Sequence, residues 1–357
     1  MRLDELLSLL PLGFFRGLVV IFGLLWGSFL NVVIYRVPRE MSVVRPASHC
    51  PGCGKPIKGY DNVPVLGYVL LLGKTRCCKT RMSPRYPLVE LMGGLLSLAI
   101  FEVVILALPG ATPIGRALAV YGADFALCLG LVAAAFIDAE HMFLPDSITI
   151  GGTVLGLATA TVRDLGFQPA ATGAVVGFLV IWLPFIFLYK GLLGRTGMGM
   201  GDAKLLALAG AWFGWPGTVF VLIAGALQGT IYAGVTSALG IEQKLPDAVL
   251  ADIAELEAQA ANGDEEAKRA LAEDPLTEDE DDAFIVDFFR RVLALPKKEE
   301  EPELEGPPTE EEVAESNAEE HRLRIPFGPF LILALLELLF AGDWLRLHVF
   351  TMVWPGF

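Results

Sequence analysis

The chain has 357 residues, 54% of them hydrophobic, with a mean hydropathy of +0.55, which excludes an ordinary soluble protein of this length. Its formal charge of −14 is unevenly placed: residues 242–324 hold 27 acidic and 9 basic side chains, a net of −18, so the remainder carries +4. An apolar core and a separate acidic segment therefore need different readings, and neither balance calls for a nucleic-acid partner.

A helix needs about 20 apolar residues to cross the hydrocarbon core of a bilayer, where only helices and closed barrels satisfy the backbone. Eight runs approach or reach that length: 12–34, 86–108, 116–137, 147–162, 170–192, 203–214, 216–238 and 327–342. The sixth is too short to span without its neighbours. The expected fold class is all-α, a multi-pass bundle of about eight spans in the lipid bilayer. The start Met1 to Leu10 is acidic rather than basic, and Trp26-Gly27-Ser28 leads on into apolar sequence, so the first run is expected to remain in the mature protein.

Residues 38–85, after the first run, carry nine Lys or Arg against Glu40 and Asp61, an asymmetry that marks the segment cytoplasmic. Counting spans from there puts the N-terminus outside and 138–146, 193–202 and 243–325 inside; Lys190 and Arg195 agree. The same loop holds Cys50-Pro51-Gly52-Cys53 and then Cys77-Cys78, while Cys128 is isolated in a span. Thiols at Cys50, Cys53, Cys77 and Cys78 in a reducing compartment point to zinc rather than to disulfides. The adjacency of the second pair departs from the two-residue gap of zinc ribbons, so a four-thiolate site needs unusual local geometry.

Asp138 closes the third run in Ala135-Phe136-Ile137-Asp138-Ala139-Glu140-His141, and Asp202 follows Gly197-Met198-Gly199-Met200-Gly201 before the sixth. By the span count both sit at one membrane surface, and ionisable residues there are functional suspects. Two carboxyl groups about 3 Å apart share a proton, so that one activates water while the other protonates the carbonyl or leaving amine, which is aspartyl peptide hydrolysis. Gly199 and Gly201 would let backbone approach a substrate strand, and Lys204 and the following helix N-terminus would favour the ionised form of Asp202. The alternative for Gly197 and Gly201 is small-xxx-small helix packing. Asp146 reads as the N-cap of the fourth span. Asp124 lies about 20 Å from Asp138 along the same helix, and His141 as a surface residue.

Within the acidic segment, Asp247–Ala261 and Asp264–Glu273 read as short helices with Asp N-caps, separated at Gly263. Residues 284–295 read as an amphipathic helix at the membrane surface, and 296–320 as disordered.

Further stretches complete a pattern: Gly27-Ser28-Phe29-Leu30-Asn31-Val32-Val33-Ile34-Tyr35-Arg36, Tyr60-Asp61-Asn62-Val63-Pro64, Ser83-Pro84-Arg85-Tyr86-Pro87-Leu88-Val89-Glu90-Leu91 and Ile325-Pro326-Phe327-Gly328-Pro329-Phe330. With the two aspartate motifs, the chain resembles the type IV prepilin peptidases, membrane aspartyl proteases of the GxGD group, over nearly all its length except 242–324. The resemblance implies that Asp138 and Asp202 are the catalytic pair and that proteolysis needs no metal. It also implies substrates: type IV prepilins or type II secretion pseudopilins, cut after a glycine at the cytoplasmic face of the bacterial inner membrane. It further implies S-adenosylmethionine-dependent methylation of the new N-terminal residue, attributed to the N-terminal region and its cysteine loop. Family loops often hold two Cys-x-x-Cys pairs; aligning on Ser83-Pro84-Arg85-Tyr86 puts the third cysteine position on Thr75 and the fourth on Cys78, with Cys77 an extra thiol. No methyl-donor residues are named by chemistry, Glu90 and Asp61 being weak candidates.

The expected domains are 1–37, the first span; 38–85, the cysteine loop; 86–241, the protease core; 242–324, the acidic insertion; and 325–357, the last span and C-terminus. The competing reading is a transporter or assembly scaffold in which Asp124, Asp138 and Asp202 bind ions or organise helices.

Overall fold

The computed structural model describes residues 1–50, 52–189, 198–241, 245–262 and 325–345. In chain order the helices are α1 (Leu3–Leu9), α2 (Leu12–Arg36), α3 (Leu66–Leu70), α4 (Arg85–Ala99), α5 (Ile114–His141), α6 (Asp146–Thr159), α7 (Phe167–Ile181), α8 (Met200–Ala238), α9 (Asp247–Ala261) and α10 (Gly328–Leu345). Each of the eight apolar runs is largely helical within the described residues, the sixth and seventh being halves of one helix. Helix α4 passes into a π-helical stretch at Ile100–Ile105, and α7 into another at Trp182–Leu188. Five helical segments are long and apolar enough to cross a membrane: Leu12–Arg39, Arg85–Ile105, Ile114–His141, Phe167–Leu188 and Met200–Ala238. Helix α6 and the apolar stretch Gly328–Gly342 are shorter.

Helix α8 is two helices joined at a break. Gly214 takes φ 70° and ψ 178°, a combination open to glycine, and Pro216 follows it without an N–H to give. The break falls between the predicted runs 203–214 and 216–238. Arg163, just beyond α6, donates to the Trp212 carbonyl at 2.9 Å and the Gly156 carbonyl at 2.8 Å, and its guanidinium lies 4.0 Å from the centre of the Trp212 ring. One side chain thus satisfies carbonyl groups at the ends of α6 and of the first half of α8.

Small residues set the closest helix pairs. Gly23 and Gly27 of α2 face Gly93 and Glu90 of α4, where a Cβ on Gly93 would stand 2.5 Å from the Gly23 carbonyl oxygen and 2.9 Å from the Gly27 Cα. Gly173 of α7 meets Gly210 and Gly214 of α8 in the same way, its added Cβ 2.7 Å from the Gly214 Cα. This small-xxx-small spacing lets backbones touch where lipid offers no hydrophobic drive to associate. Apolar clusters gather around α8 and α10 on one side and α2 and α4 on the other, with α5 contributing to both. Ile223, Leu227, Ile231 and Val235, four residues apart on the second half of α8, are exposed, as a lipid-facing stripe requires.

The two ends of the bundle differ. At one, α1 pairs with the turn before α5 through Leu3 N–H to the Thr112 carbonyl at 2.9 Å, and Arg116 pairs with Asp164. At the other, Arg85 at the start of α4 pairs with Glu140 in the last turn of α5, and α9 packs on α5 with Val249 buried.

Two expected caps are corrected. Asp146 and Asp247 are the first residues inside α6 and α9, the N-cap positions being Pro145 and Pro246, with no side-chain cap bond at either. A carboxylate in the first turn still complements the helix dipole. The expected helices at Asp264–Glu273 and 284–295, the break at Gly263 and the disordered 296–320 lie outside the described residues, as do Lys190 and Arg195.

Candidate functional site

Asp138 stands in the last turn of α5, Asp202 in the first turn of α8 and Gly328 at the start of α10. Helix α5 is ended by Met142, which takes the left-handed conformation at φ 56° and returns its N–H to the Asp138 carbonyl at 2.9 Å. The chain then turns so that buried Leu144 lies beneath the other two elements. A Cβ on Gly201 would stand 3.1 Å from Leu144 Cβ, and one on Gly328 would stand 3.3 Å from Leu144 Cδ2. Leu144 is thus the floor that registers three helix ends against one another.

The Asp138 side chain is buried at 6% exposure, and the backbone N–H of Gly328 faces its carboxylate without forming a well-aligned bond to Oδ2. A buried carboxylate with so little satisfaction is costly and is a candidate for chemistry. A Cβ on Gly328 would lie 2.5 Å from Oδ2, so a larger residue there would displace the Asp138 carboxylate. Asp202 lies close enough for the charge on Asp138 to act on it. Beside Asp202, Gly199 leaves open space, its nearest neighbour being Asp202 Oδ2 at 4.0 Å from an added Cβ. The structure therefore brings Asp138, Asp202, Gly199 and Gly201 to one end of the bundle; Gly197 lies outside the described residues.

The Lys204 ammonium is engaged by Asp146, 2.7 Å from its Oδ1, a contact that ties the first turn of α8 to the first turn of α6. Asp124 is buried mid-way along α5, about four helical turns from Asp138. His141 packs edge-on against Phe143 at 6.2 Å.

The cysteine loop folds against the start of α4. Glu90 of α4 accepts the Val65 N–H at 2.6 Å, and Val65 takes φ 61°, an unfavourable value for a β-branched residue. Arg76 grips Asp61 with both nitrogens at 2.7 and 2.9 Å, and that hydrogen bond holds the Asp61 carboxyl below the usual carboxylate range. Both acids weighed for the methyl donor are thus engaged in holding the loop. The thiols of Cys50, Cys53, Cys77 and Cys78 all lie within 4.8 Å of one another, a group able to hold a metal ion. The Cys78 thiol is drawn down to about 5, by its hydrogen bond with Thr75 first and with Thr80 next.

These features define a class: a multi-pass α-helical membrane protein in which two aspartates from separate helices stand at one end of the bundle, in a chain that also carries a four-cysteine loop. The Bacterial Peptidase A24 N-terminal domain matches residues 21–104, and the Type IV leader peptidase family matches residues 125–234, which include Asp138 and Asp202. A prepilin leader peptidase/N-methyltransferase of Myxococcus xanthus is 35% identical over 344 residues, covering 95% of this chain and 94% of its own. Proteins of the same name from Neisseria gonorrhoeae and Aeromonas hydrophila are 38% and 39% identical, covering 60% and 63% of this chain and 80% and 82% of theirs. No solved structure matches the chain. The chain belongs to the type IV leader peptidase family.

Sequence reasoning did not find the contact of Gly328 with Asp138 or the floor at Leu144. The only signal for the first was that Gly328 sits in Ile325-Pro326-Phe327-Gly328-Pro329-Phe330, a stretch already singled out.

Proposed function

We propose that the protein cuts the leader from type IV prepilins or type II secretion pseudopilins with Asp138 and Asp202, and then methylates the new N-terminus. The observation that carries this reading is that the end of α5 and the start of α8 bring Asp138 and Asp202 to the same end of the bundle, with Gly328 leaving the Asp138 carboxylate room.

Hydrolysis needs a water between the two groups. The ionised carboxylate takes a proton from that water as it attacks the scissile carbonyl, while the protonated one donates to the carbonyl oxygen and the leaving amine then receives a proton. No metal enters this step. A pilin precursor offers an apolar helix lying in the bilayer and a charged leader outside it, which suits a site at a membrane edge. The lysine and arginine excess of 38–85 supports a cytoplasmic position for that edge, and the inner membrane is the location this reading takes.

S-adenosylmethionine would supply the methyl group; with Glu90 and Asp61 both engaged, no residue is assigned to it. Zinc fits the four thiols as a closed structural site that braces the loop. The acidic insertion, entered through α9 on the end of α5, attracts the basic leader.

The test is co-expression with a prepilin and mass measurement of its N-terminus. Loss of the leader and gain of one methyl group report the two activities separately; an intact precursor refutes the reading.

A further inference from the structure

The cysteine loop contains two turns built on one plan. In the first, Cys50 N–H donates to the Lys55 carbonyl at 2.8 Å, and Gly54, at φ 68°, donates to the Cys50 carbonyl at 2.9 Å. In the second, Thr75 N–H donates to the Thr80 carbonyl at 2.8 Å, and Lys79, at φ 59°, donates to the Thr75 carbonyl at 3.0 Å. Antiparallel bridges close the turns at equivalent places, His49 with Pro56 and Lys74 with Arg81. Thr75 therefore stands where Cys50 stands, Cys78 where Cys53 stands, and Cys77 where Gly52 stands. The second turn presents a hydroxyl at the position that should carry its first thiolate.

The four sulfurs nevertheless lie within 4.8 Å of one another. Cys53 and Cys77 lie 3.3 Å apart, Cys50 and Cys78 3.5 Å, and Cys77 and Cys78 3.9 Å. A Zn–S distance of about 2.3 Å in tetrahedral geometry requires sulfurs about 3.8 Å apart. Only the second turn has room for this substitution, because a Cβ on Gly52 would run into the Thr80 hydroxyl and stand 3.2 Å from Cys78 Sγ. The displaced position is not idle: buried Thr75 has its Oγ1 3.4 Å from Cys78 Sγ, and Thr80 Oγ1 lies 3.0 Å from the same sulfur.

We propose that the site binds zinc through a shifted ligand set in which Cys77 takes over the role vacated at Thr75, while the Thr75 and Thr80 hydroxyls donate to the Cys78 thiolate. The proposal rests on the zinc reading above. Hydroxyl donors to a metal-bound sulfur fix its orientation and strengthen metal retention.

The full-length protein, purified in detergent, is assayed for zinc content, for the absorption spectrum after replacement by Co2+, and for the rate of zinc loss to a chelator. Prepilin cleavage reports that each variant is folded. The wild type is expected to hold one zinc per chain and to give a four-thiolate Co2+ spectrum. Cys77→Ala should lose the metal, Thr75→Cys combined with Cys77→Ala should regain it, and Thr75→Val should keep it with about 10-fold weaker retention. Wild-type retention and a four-thiolate spectrum in Cys77→Ala would overturn the shifted set while leaving zinc in place. A wild type free of metal with its thiols intact, or with Cys53 and Cys77 joined as a disulfide, would overturn the zinc reading and the proposal with it.

Discussion

A Cβ placed on Gly328 would lie 2.5 Å from Oδ2 and 3.0 Å from Cγ of Asp138, although 190 residues separate the two in the chain. The start of α10 thereby lies against the Asp138 carboxylate, and its glycine is what lets the helix begin there without displacing Asp138.

Gly328→Ala should accordingly disturb the pair more than the fold. Overpacking of this kind costs about 1–3 kcal/mol. Expressed at the reacting groups, it lowers cleavage about 10- to 100-fold. Initial rates on a purified prepilin, read beside the melting temperature, check this; unchanged cleavage would separate Gly328 from the site.

Arg163 acts through stability instead. Arg163→Met leaves the Trp212 and Gly156 carbonyls without their donor, at about 1–3 kcal/mol for each group left unsatisfied. Thermal unfolding in detergent should fall by several degrees, and Arg163→Lys, which keeps the charge without the planar fork, should lie between.

Glu90 holds the cysteine loop onto α4 through the strained Val65. Glu90→Ala should free the loop, so that limited proteolysis clips between residues 58 and 82 faster than in the wild type while the helices stay intact. Equal clipping rates would show that the Val65 contact does not anchor the loop.

The acidic insertion is testable by salt. Deleting 263–324 while keeping α9 should lower kcat/KM for a prepilin at low ionic strength and leave it near the wild-type value at high salt, because attraction between exposed charges is screened. A deletion without effect at either salt would reduce the segment to a tolerated linker.

Much of the fold was legible because apolar length is a strong signal: each of the eight runs is largely helical within the described residues, and the boundary between the runs 203–214 and 216–238 coincides with the break at Gly214. The aspartates were legible as costly groups at the ends of such runs. Caps were less so, since Pro145 and Pro246 each take the position that the following aspartate was expected to fill. The π-helical ends of α4 and α7, the floor at Leu144 and the engagement of Lys204 by Asp146 depend on neighbours distant in sequence, which no local pattern reports. The four-thiol set was legible, but not how it forms: Cys77-Cys78 violates the two-residue gap, yet the backbone keeps that gap at Thr75 and Cys78 and brings the Cys77 sulfur in beside them.

The most direct test is the N-terminal mass of a prepilin co-expressed with Asp138→Asn or with Asp202→Asn, each of which keeps side-chain shape while removing the group that ionises. Full-length precursor should accumulate with either variant alone, without the leader removed and without methyl added. Normally processed pilin in the presence of either variant would contradict the assignment of the reaction to this pair.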